Sequence, residues 1–343
     1  MTKTPNAAPR KKKINLALQG GGAHGAFTWG VLDRLLEDGR LDFDGVSGTS
    51  AGAMNAVNFA EGLRKGGNAG AREQLAEFWR SASFDGALPS LSRNLLSGMV
   101  NFWSATPLAA MAEQTASMFA PGEINPLGIN PLRDVLENKI DFGALRATDH
   151  LKLFIAATNV ETGKVRIFRR PELTLDMVMA SACLPTVFKA VEIDGVPYWD
   201  GGYMGNPVLF PFFTETDTAD IVLIQINPIT RKGAPDTAAE IVSRIDEITF
   251  NAPMLQEFRA IDFVARLIAA GRLDGTHYKS IRMHVIEAQD ELNQFGAASK
   301  MKADYDFFVE LKDIGRKAAQ KFLDAHFDDV GVKATLDLSE TLV

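Results

Sequence analysis

The sequence has few of the features that direct a protein out of the cytosol. Cys183 is its only cysteine, so no disulfide can form within the chain and an oxidising compartment is not indicated. No run approaches the ~18 apolar residues that a membrane span needs. The polar, basic residues after Met1 include no apolar segment typical of a secretory signal. We therefore expect a cytosolic protein, which could still contact a membrane surface.

An excess of positive charge is also absent, since 36 Lys and Arg stand against 43 Asp and Glu, a formal net charge of -7. Broad nucleic-acid binding is not expected, because such a surface needs surplus cations to neutralise phosphates. One basic cluster, Arg10 to Lys13, ends a polar tail, and either a solvated tail or an anionic-lipid contact would explain it. Hydrophobic residues make up 46% of the chain, as in an ordinary globular protein with a sizeable core.

The first 60 residues alternate strand and helix patterns. "INLALQ" (14–19) alternates large apolar residues and stops at a run of glycines, as a strand entering a sharp turn does. Residues 27–39 have the apolar spacing of an amphipathic helix that ends at Gly39. A second short strand runs into "GTS", and the small residues of "AGAMNAVNFAEGL" suit a helix packed closely on a sheet. This order predicts a parallel α/β core.

Further along the chain, two hairpins are predicted. "LKLFIAATNV" and "KVRIFRR" flank "ETG", and "KAVEI" and "VPYW" flank "DG". "ADIVLIQINPI" and "IRMHVIEA" are typical of buried strands, and helices are expected from about 237 to 270 and over 305–326. Polar and turn-forming residues at 227–237 mark a candidate boundary, although "IRMHVIEA" could add a strand to the same sheet.

A single serine lies between glycines in "GVSGTSAG", directly after the second strand. The pattern Gly48-x-Ser50-x-Gly52 between a strand and a helix of small residues is typical of a nucleophile elbow. There the turn is so tight that flanking side chains would collide, and the serine hydroxyl projects over the edge of the sheet. The sequence therefore predicts a nucleophilic serine, which needs a base and donors for an oxyanion.

The glycine-rich segment "QGGGAHG" (19–25) could supply those donors. Consecutive amides of Gly20, Gly21 and Gly22 precede a helix, whose N-terminal dipole favours negative charge. The same segment matches the dinucleotide fingerprint Gly20-x-Gly22-x-x-Gly25, with Asp42 and Asp44 near the expected distance downstream. A purely structural glycine turn is a third interpretation, so the residues alone leave the choice open.

No histidine lies in a motif that marks it as the base of a catalytic triad, although the chain has five: His24, His150, His277, His284 and His326. The remaining candidate is Asp200 in "YWDGGYMGNP", which ends a short apolar strand. The following Gly201 and Gly202 allow close approach of the backbone, although Asp-Gly-Gly is by itself most often a turn. Asp200 is thus the candidate general base.

At this point the chain resembles the patatin-like phospholipase family over its first two-thirds. The resemblance rests on "GGGAHGAFTWG", "GTSAG", "ASACLPTVF" and "DGG", in the family's order and at suitable spacing. It implies a Ser–Asp dyad without histidine, with Ser50 as nucleophile, Asp200 as general base and the amides of Gly20 to Gly22 as oxyanion hole. Glycines that support these motifs are Gly25, Gly48, Gly52, Gly201 and Gly202. His24 departs from the pattern, because many members carry Arg or Lys there.

The resemblance also implies the fold, the activity and the substrate. We expect a three-layer α/β/α fold with a central, mostly parallel sheet, an elbow between strand and helix, and additional C-terminal helices. The expected organisation is a basic tail (1–13), a patatin-like catalytic domain (14–227) and a mostly helical extension packed on it (228–343). Members hydrolyse acyl esters of glycerolipids, usually without a metal, so we expect a lipid or acyl ester substrate and no cofactor.

A lone carboxylate is a weak base with an ordinary pKa of about 3.9, so the dyad requires burial that raises the pKa of Asp200. Three alternatives remain open. The protein could be an α/β-hydrolase whose triad combines Ser50 and Asp200 with His277 or His284. It could be a nucleotide-binding module that uses the glycine loop, or an inactive scaffold that binds lipid.

Several segments could meet an acyl chain or a phosphate. Residues 88–119 contain Leu, Met, Phe and Trp interrupted by polar residues and Pro, which fits an acyl pocket, a lid or ordinary helix packing. "PVLFPFF" (207–213) could likewise meet an acyl chain or pack in the core, with core packing favoured. Arg166, Arg169 and Arg170 on the first hairpin could bind phosphate, although a solvated strand end is the simpler explanation.

Overall fold

The computed structural model describes residues 11–83 and 130–342. In this part of the chain, eight strands form one sheet in the order β5-β6-β3-β2-β1-β7-β8, with β4 paired to β3. The strands are β1 (Lys12–Leu18), β2 (Leu41–Gly48), β3 (Lys152–Asn159), β4 (Val165–Arg169), β5 (Val191–Ile193), β6 (Val196–Asp200), β7 (Asp220–Ile224) and β8 (Arg282–Ile286). The pairs among β3, β2, β1, β7 and β8 are parallel.

Ten α-helices accompany this sheet in the described residues. They are α1 (Gly25–Asp38), α2 (Ala51–Ser81, with a break at Gly66 and Gly67), α3 (Pro131–Lys139), α4 (Phe142–Ala147), α5 (Leu175–Ser181), α6 (Pro211–Thr214), α7 (Ala238–Ala269), α8 (Gln289–Leu292), α9 (Tyr305–His326) and α10 (Leu338–Thr341). The predicted helices over 237–270 and 305–326 are thus confirmed. Both predicted hairpins, β3–β4 and β5–β6, are antiparallel pairs.

Two hydrophobic clusters cover opposite faces of the sheet. One joins Leu16 and Leu18 of β1 to α1, α2, α5 and α9, and the other joins Ala17 of β1 to α6 and α7. Helices therefore lie on both faces, and the predicted α/β/α architecture with a mostly parallel sheet is confirmed. Because both faces of β1 are covered, residues 14–18 are all buried, although their large apolar residues alternate.

The C-terminal residues complete the same sheet. β8 pairs in parallel with β7, as "IRMHVIEA" allowed, and α9 packs along α1. A methyl group added at Gly30 of α1 would lie only 1.9 Å from the Lys312 carbonyl oxygen, so the two helices approach very closely. The first strand begins at Lys12, earlier than the predicted tail boundary after residue 13. Lys12 pairs with Leu41 of β2. The Lys12 ammonium also donates to three carbonyl oxygens, those of Phe327, Asp328 and Val330.

Candidate active site

Three adjacent parallel strands end at the same edge of the sheet. Leu18 at the end of β1 pairs with Gly48 of β2 on one side and with Ile224 of β7 on the other. The segments that follow these strands therefore meet above that edge. They carry the predicted elbow at Ser50, the glycine loop at 20–22 and the residues after Ile224.

Ser50 lies in the sharp turn between β2 and α2. Its backbone angles, φ 55° and ψ -122°, are rare for a residue with a side chain. A methyl group at Gly48 would lie 2.5 Å from the Gly52 carbonyl oxygen, and one at Gly52 would lie 2.1 Å from that of Leu18. The flanking positions therefore have no room for side chains. The Ser50 amide donates to Ser181 Oγ at the end of α5, at 3.0 Å, which ties the elbow to a neighbouring helix.

The glycine loop lies directly beside the elbow, because a methyl group at Gly20 would come within 2.7 Å of Ser50 Cβ. The Gly20 amide donates to Asn206 Oδ1 at 2.6 Å and is therefore already engaged. Within residues 11–83 and 130–342, the amides of Gly21 and Gly22 have no hydrogen-bond acceptor. Of the three donors that the sequence predicted for an oxyanion, two are thus left available in this arrangement.

Asp200 reaches the elbow through the antiparallel strand β6. It pairs with Ala157 of β3, two residues beyond Ile155, which pairs with Gly48. The backbone of Asp200 is held on both sides, since its amide donates to the Cys183 carbonyl and its carbonyl accepts from Thr158 Oγ1, each at 2.8 Å.

The Asp200 side chain is completely buried. Its Oδ1 accepts from the Gly202 amide at 2.7 Å, whereas Oδ2 has no fully formed hydrogen bond in the described part of the chain. Burial raises the pKa of Asp200 to about 7, and the Gly202 amide and the nearby Ser50 hydroxyl oppose this rise as hydrogen-bond donors. The carboxylate is therefore poised to change protonation near neutral pH.

One cavity of about 350 Å³ joins these groups. Ser50, Asp200 and Gly20 to Gly22 line it, together with apolar side chains from Leu184, Val187 and Phe250. Residues from α7 and from the turn before α9, among them Glu247 and Lys300, form the opposite wall. The arrangement places a hydroxyl, a high-pKa carboxylate and free amides around a space that an ester could enter.

None of the five histidines lines this cavity. His277 is exposed and bonded to Asp274, and His284 lies between Asp220 and Thr335. His24 is buried with Nε2 at 2.7 Å from Ser299 Oγ, and burial together with the charge of Lys300 lowers the pKa of His24 to about 4. The imidazole is therefore neutral at neutral pH, and the triad interpretation has no histidine in place.

The dinucleotide interpretation also lacks its acidic partner. Asp42 pairs with Lys13 near the start of β1, at the opposite end of the strands from the glycine loop. Asp44 accepts from the backbone amides of Asp217 and Thr218 and contacts the ammonium of Lys152. Neither acid faces the loop.

The remaining candidate segments have other roles or lie elsewhere. Residues 88–119 lie outside the described residues. In "PVLFPFF", Val208, Leu209 and Phe212 are buried in the core, as favoured. The three hairpin arginines form ion pairs with acids: Arg166 with Glu172, Arg169 with Glu215 and Arg170 with Asp149.

Sequence reasoning missed the side chains that hold the glycine loop. Asn206 accepts from the Gly20 amide, and Asn227 donates to the Gly20 carbonyl at 2.8 Å. Both precede a proline, so the two Asn-Pro pairs were a usable signal for turns beside the site. Lys300, which donates to Asn227 Oδ1 at 2.8 Å, carries no such signal.

No group of three or more His, Cys, Asp and Glu side chains in residues 11–83 and 130–342 is placed to hold a metal ion. In the same ranges, every helix is too short or too polar to cross a bilayer.

Comparison with known proteins places these features in a family. A family model described as patatin-like phospholipase matches residues 16–213, more than half of the chain. A cGAMP-activated phospholipase of Pseudomonas aeruginosa (strain BWHPSA011 / Pa011) is 30% identical over 210 residues, which cover 57% of this chain and 54% of that protein. The chain thus spans about half the length of this curated relative.

Two solved structures are similar at lower identity. VipD from Legionella pneumophila is 16% identical with a TM-score of 0.39, and the match covers 91% of this chain and 72% of VipD. The ExoU–SpcU complex of Pseudomonas aeruginosa contains a chain that is 15% identical with a TM-score of 0.37, with 93% and 52% covered. On the extent of the family match, this chain belongs to the patatin-like phospholipase family.

Proposed function

We propose that the protein is a lipid acyl hydrolase that cleaves carboxylic ester bonds of phospholipids. Ser50 is the nucleophile, Asp200 is the general base, and the amides of Gly21 and Gly22 bind the oxyanion. Family membership supports the substrate class. The observation that carries the residue roles is that one cavity is lined by Ser50, by the free amides and by a buried carboxylate with a raised pKa.

The reaction proceeds in two steps, acylation of Ser50 and hydrolysis of the acyl-enzyme, and Asp200 transfers a proton in each. Asp200 accepts the Ser50 proton as the serine oxygen bonds to the ester carbonyl carbon, and the carbonyl oxygen becomes an anion facing the two amides. When the intermediate collapses, the C–O bond breaks and protonated Asp200 gives its proton to the leaving alcohol. Water then attacks the acyl-enzyme by the same path, releasing the fatty acid and restoring the Ser50 hydroxyl.

The Gly20 amide has a supporting role in this proposal. Its bond to Asn206 Oδ1 fixes the loop, and the next two residues line the cavity with amides that have no acceptor in the described part of the chain. The N-terminus of α2 starts directly after Ser50 and adds a favourable dipole for negative charge at the site.

We also propose a peripheral contact between the enzyme and its lipid surface. The α7 helix lines the cavity with Phe250, and its preceding turns expose apolar side chains: Ile241, Val242, Ile245 and Ile248, each at least 43% accessible. A lipid–water interface would cover these side chains next to the cavity. The proposed dyad lies in the catalytic domain over residues 14–227. The extension over 228–343 contributes α7, which lines the cavity and exposes these apolar side chains.

The test measures fatty acid release from phosphatidylcholine–phosphatidylglycerol vesicles by the full chain. We expect Ser50→Ala to abolish release and fluorophosphonate labelling, while Ser280→Ala, at an exposed serine outside the cavity, retains both. Because the similar Pseudomonas protein is named cGAMP-activated, each assay is run with and without cGAMP. Full activity of Ser50→Ala would refute the assignment.

A further inference from the structure

Lys300 enters the candidate active site from outside the family-matched residues. It lies in the turn Ala297–Met301 between β8 and α9, well beyond residue 213, where the family match ends. Its half-buried side chain lines the same cavity as Ser50 and Asp200. Lys300 is the one cationic side chain among the residues described around that cavity.

The side chain of Lys300 is connected to the glycine loop through one carboxamide. Its ammonium donates to Asn227 Oδ1 at 2.8 Å, and Asn227 Nδ2 donates to the Gly20 carbonyl at 2.8 Å. Because an ammonium can only donate, this bond fixes which atom of the Asn227 amide faces Gly20. The Asn227 backbone amide donates to Gln19 Oε1 at 2.9 Å, so Asn227 also holds Gln19, the residue before the loop.

The backbone of Lys300 also contacts the loop. Gly22 has a φ of 57°, and a methyl group there would lie 2.3 Å from the Lys300 carbonyl oxygen. The turn that carries Lys300 therefore lies directly over the last residue of the loop. Side chain and main chain together restrain Gly20 and Gly22, on either side of Gly21.

The charge of Lys300 is not cancelled by a direct ion pair in the described part of the chain. The nearest buried acid, Glu247, is engaged by Arg231 at 2.6 Å and by Arg244 at 3.2 Å. Asp246 is the other acid on this wall of the cavity, and it is exposed. This cluster therefore has an excess of one positive charge, since it contains three cations, Lys300, Arg231 and Arg244, and two acids, Glu247 and Asp246.

His24 cannot supply this charge at neutral pH. It occupies the loop position where many family members have Arg or Lys, but it is buried beside Ser299, and its pKa is lowered to about 4. The positive charge of Lys300 is one cause of that lowering, which means that the two groups are close enough to interact. The cation next to the loop is thus contributed by a residue distant in sequence.

We propose that Lys300 is a positioning residue that holds the Gly20–Gly22 loop through Asn227 and supplies the positive charge beside it. This rests on the proposed function, in which that loop binds the oxyanion. A small displacement of the two amides would weaken the transition state more than substrate binding, because the amides meet full negative charge only after attack.

The test compares Lys300→Met and Lys300→Arg with wild type on a soluble p-nitrophenyl ester. We expect Lys300→Met to lower kcat by about tenfold with KM within about twofold, and Lys300→Arg to recover most of the rate. Lys302→Met is the matched control, because this exposed lysine two residues further on contacts the Phe307 ring. In a double-mutant cycle, Lys300→Met should add little to the effect of Asn227→Ala.

A second substrate separates positioning from headgroup binding. If Lys300→Met raises KM for anionic phospholipid and leaves the neutral ester unaffected, Lys300 binds the lipid phosphate and the positioning role is wrong. An unchanged kcat, or a loss of rate that Lys300→Arg does not recover, would also overturn the proposal.

A third readout does not depend on turnover. Lys300→Met should speed hydrogen exchange in the peptide over residues 19–25 and raise the pKa of His24 in an NMR titration, whereas Lys302→Met should change neither. If the wild-type protein neither hydrolyses the ester nor reacts with the fluorophosphonate, the proposed function fails. The exchange and titration measurements still decide whether Lys300 restrains the loop and places a positive charge beside it. Unchanged exchange and an unchanged His24 titration would refute it.

Discussion

Replacing Asp200 with asparagine should stabilise the protein at alkaline pH and remove its activity. The folded-state pKa of about 7 compares with an ordinary value of 3.8. Each unit of this difference corresponds to ~1.4 kcal/mol, so ionising the buried carboxyl lowers the free energy of unfolding by about 4 kcal/mol at pH 8. Asparagine keeps the shape of the side chain and cannot ionise.

The sign of the effect follows from which state holds the proton. Below about pH 4 the carboxyl is protonated in both the folded and the unfolded chain, so its ionisation has no effect on stability. Between pH 4 and 7 only the unfolded chain ionises, and stability falls by ~1.4 kcal/mol per unit. Above pH 7 the full loss is present. From pH 5 to pH 8, the stability of Asp200→Asn relative to wild type should therefore rise by about 2 to 3 kcal/mol.

Denaturant unfolding at pH 5 and pH 8 measures this difference. The Ser50 hydroxyl oxygen can accept from the new amide nitrogen, and any remaining change in hydrogen bonding is the same at both pH values and cancels in the comparison. Asp44→Asn is the control, because backbone amides and Lys152 lower the pKa of Asp44, and its loss should be equal at both pH values. The reasoning is refuted if Asp200→Asn shows the same stability difference at pH 5 and pH 8.

Two further predictions concern the same residues. The value of kcat/KM for a soluble ester should rise tenfold per unit below about pH 7 and level off above it, because Asp200 must be ionised to accept the serine proton; a profile flat from pH 5 to 9 would exclude this base. Ser50→Gly should raise the free energy of unfolding by about 1 kcal/mol, since glycine adopts φ 55° without strain. Ser50→Ala, which keeps the strained Cβ, should not, and equal melting temperatures for the two variants would contradict the strain.

The sequence predicted most of the secondary structure because the signals are local. Alternating apolar residues, helical spacing and turn dipeptides located both hairpins and the long helices. The burial of both faces of β1 could not be predicted, because the pattern within a strand does not reveal that helices from distant segments cover its second face. Burial of a strand depends on the whole fold.

The residues of the candidate site likewise divide into those that local sequence motifs predict and those that only the folded structure brings together. Ser50, Asp200 and the glycines lie in short motifs whose geometry is determined by their own neighbours. The roles of Asn206, Asn227 and Lys300 arise from contacts between the glycine loop and segments far along the chain. The engagement of the Gly20 amide could not be predicted either, since it requires the position of an asparagine side chain after β6.

The position of β1 in the sheet has a consequence for synthesis of the protein. This first strand needs β7 as its second neighbour, and Lys12 binds carbonyls near the C-terminus. Roughly 200 residues separate β1 from β7, so at ~5 to 20 residues per second a ribosome-bound chain waits ~10 to 40 s with one edge of β1 unpaired. An unpaired strand edge can pair with other chains during this interval, and the contacts of Lys300 with the glycine loop and Asn227 form only after residue 300 has been made.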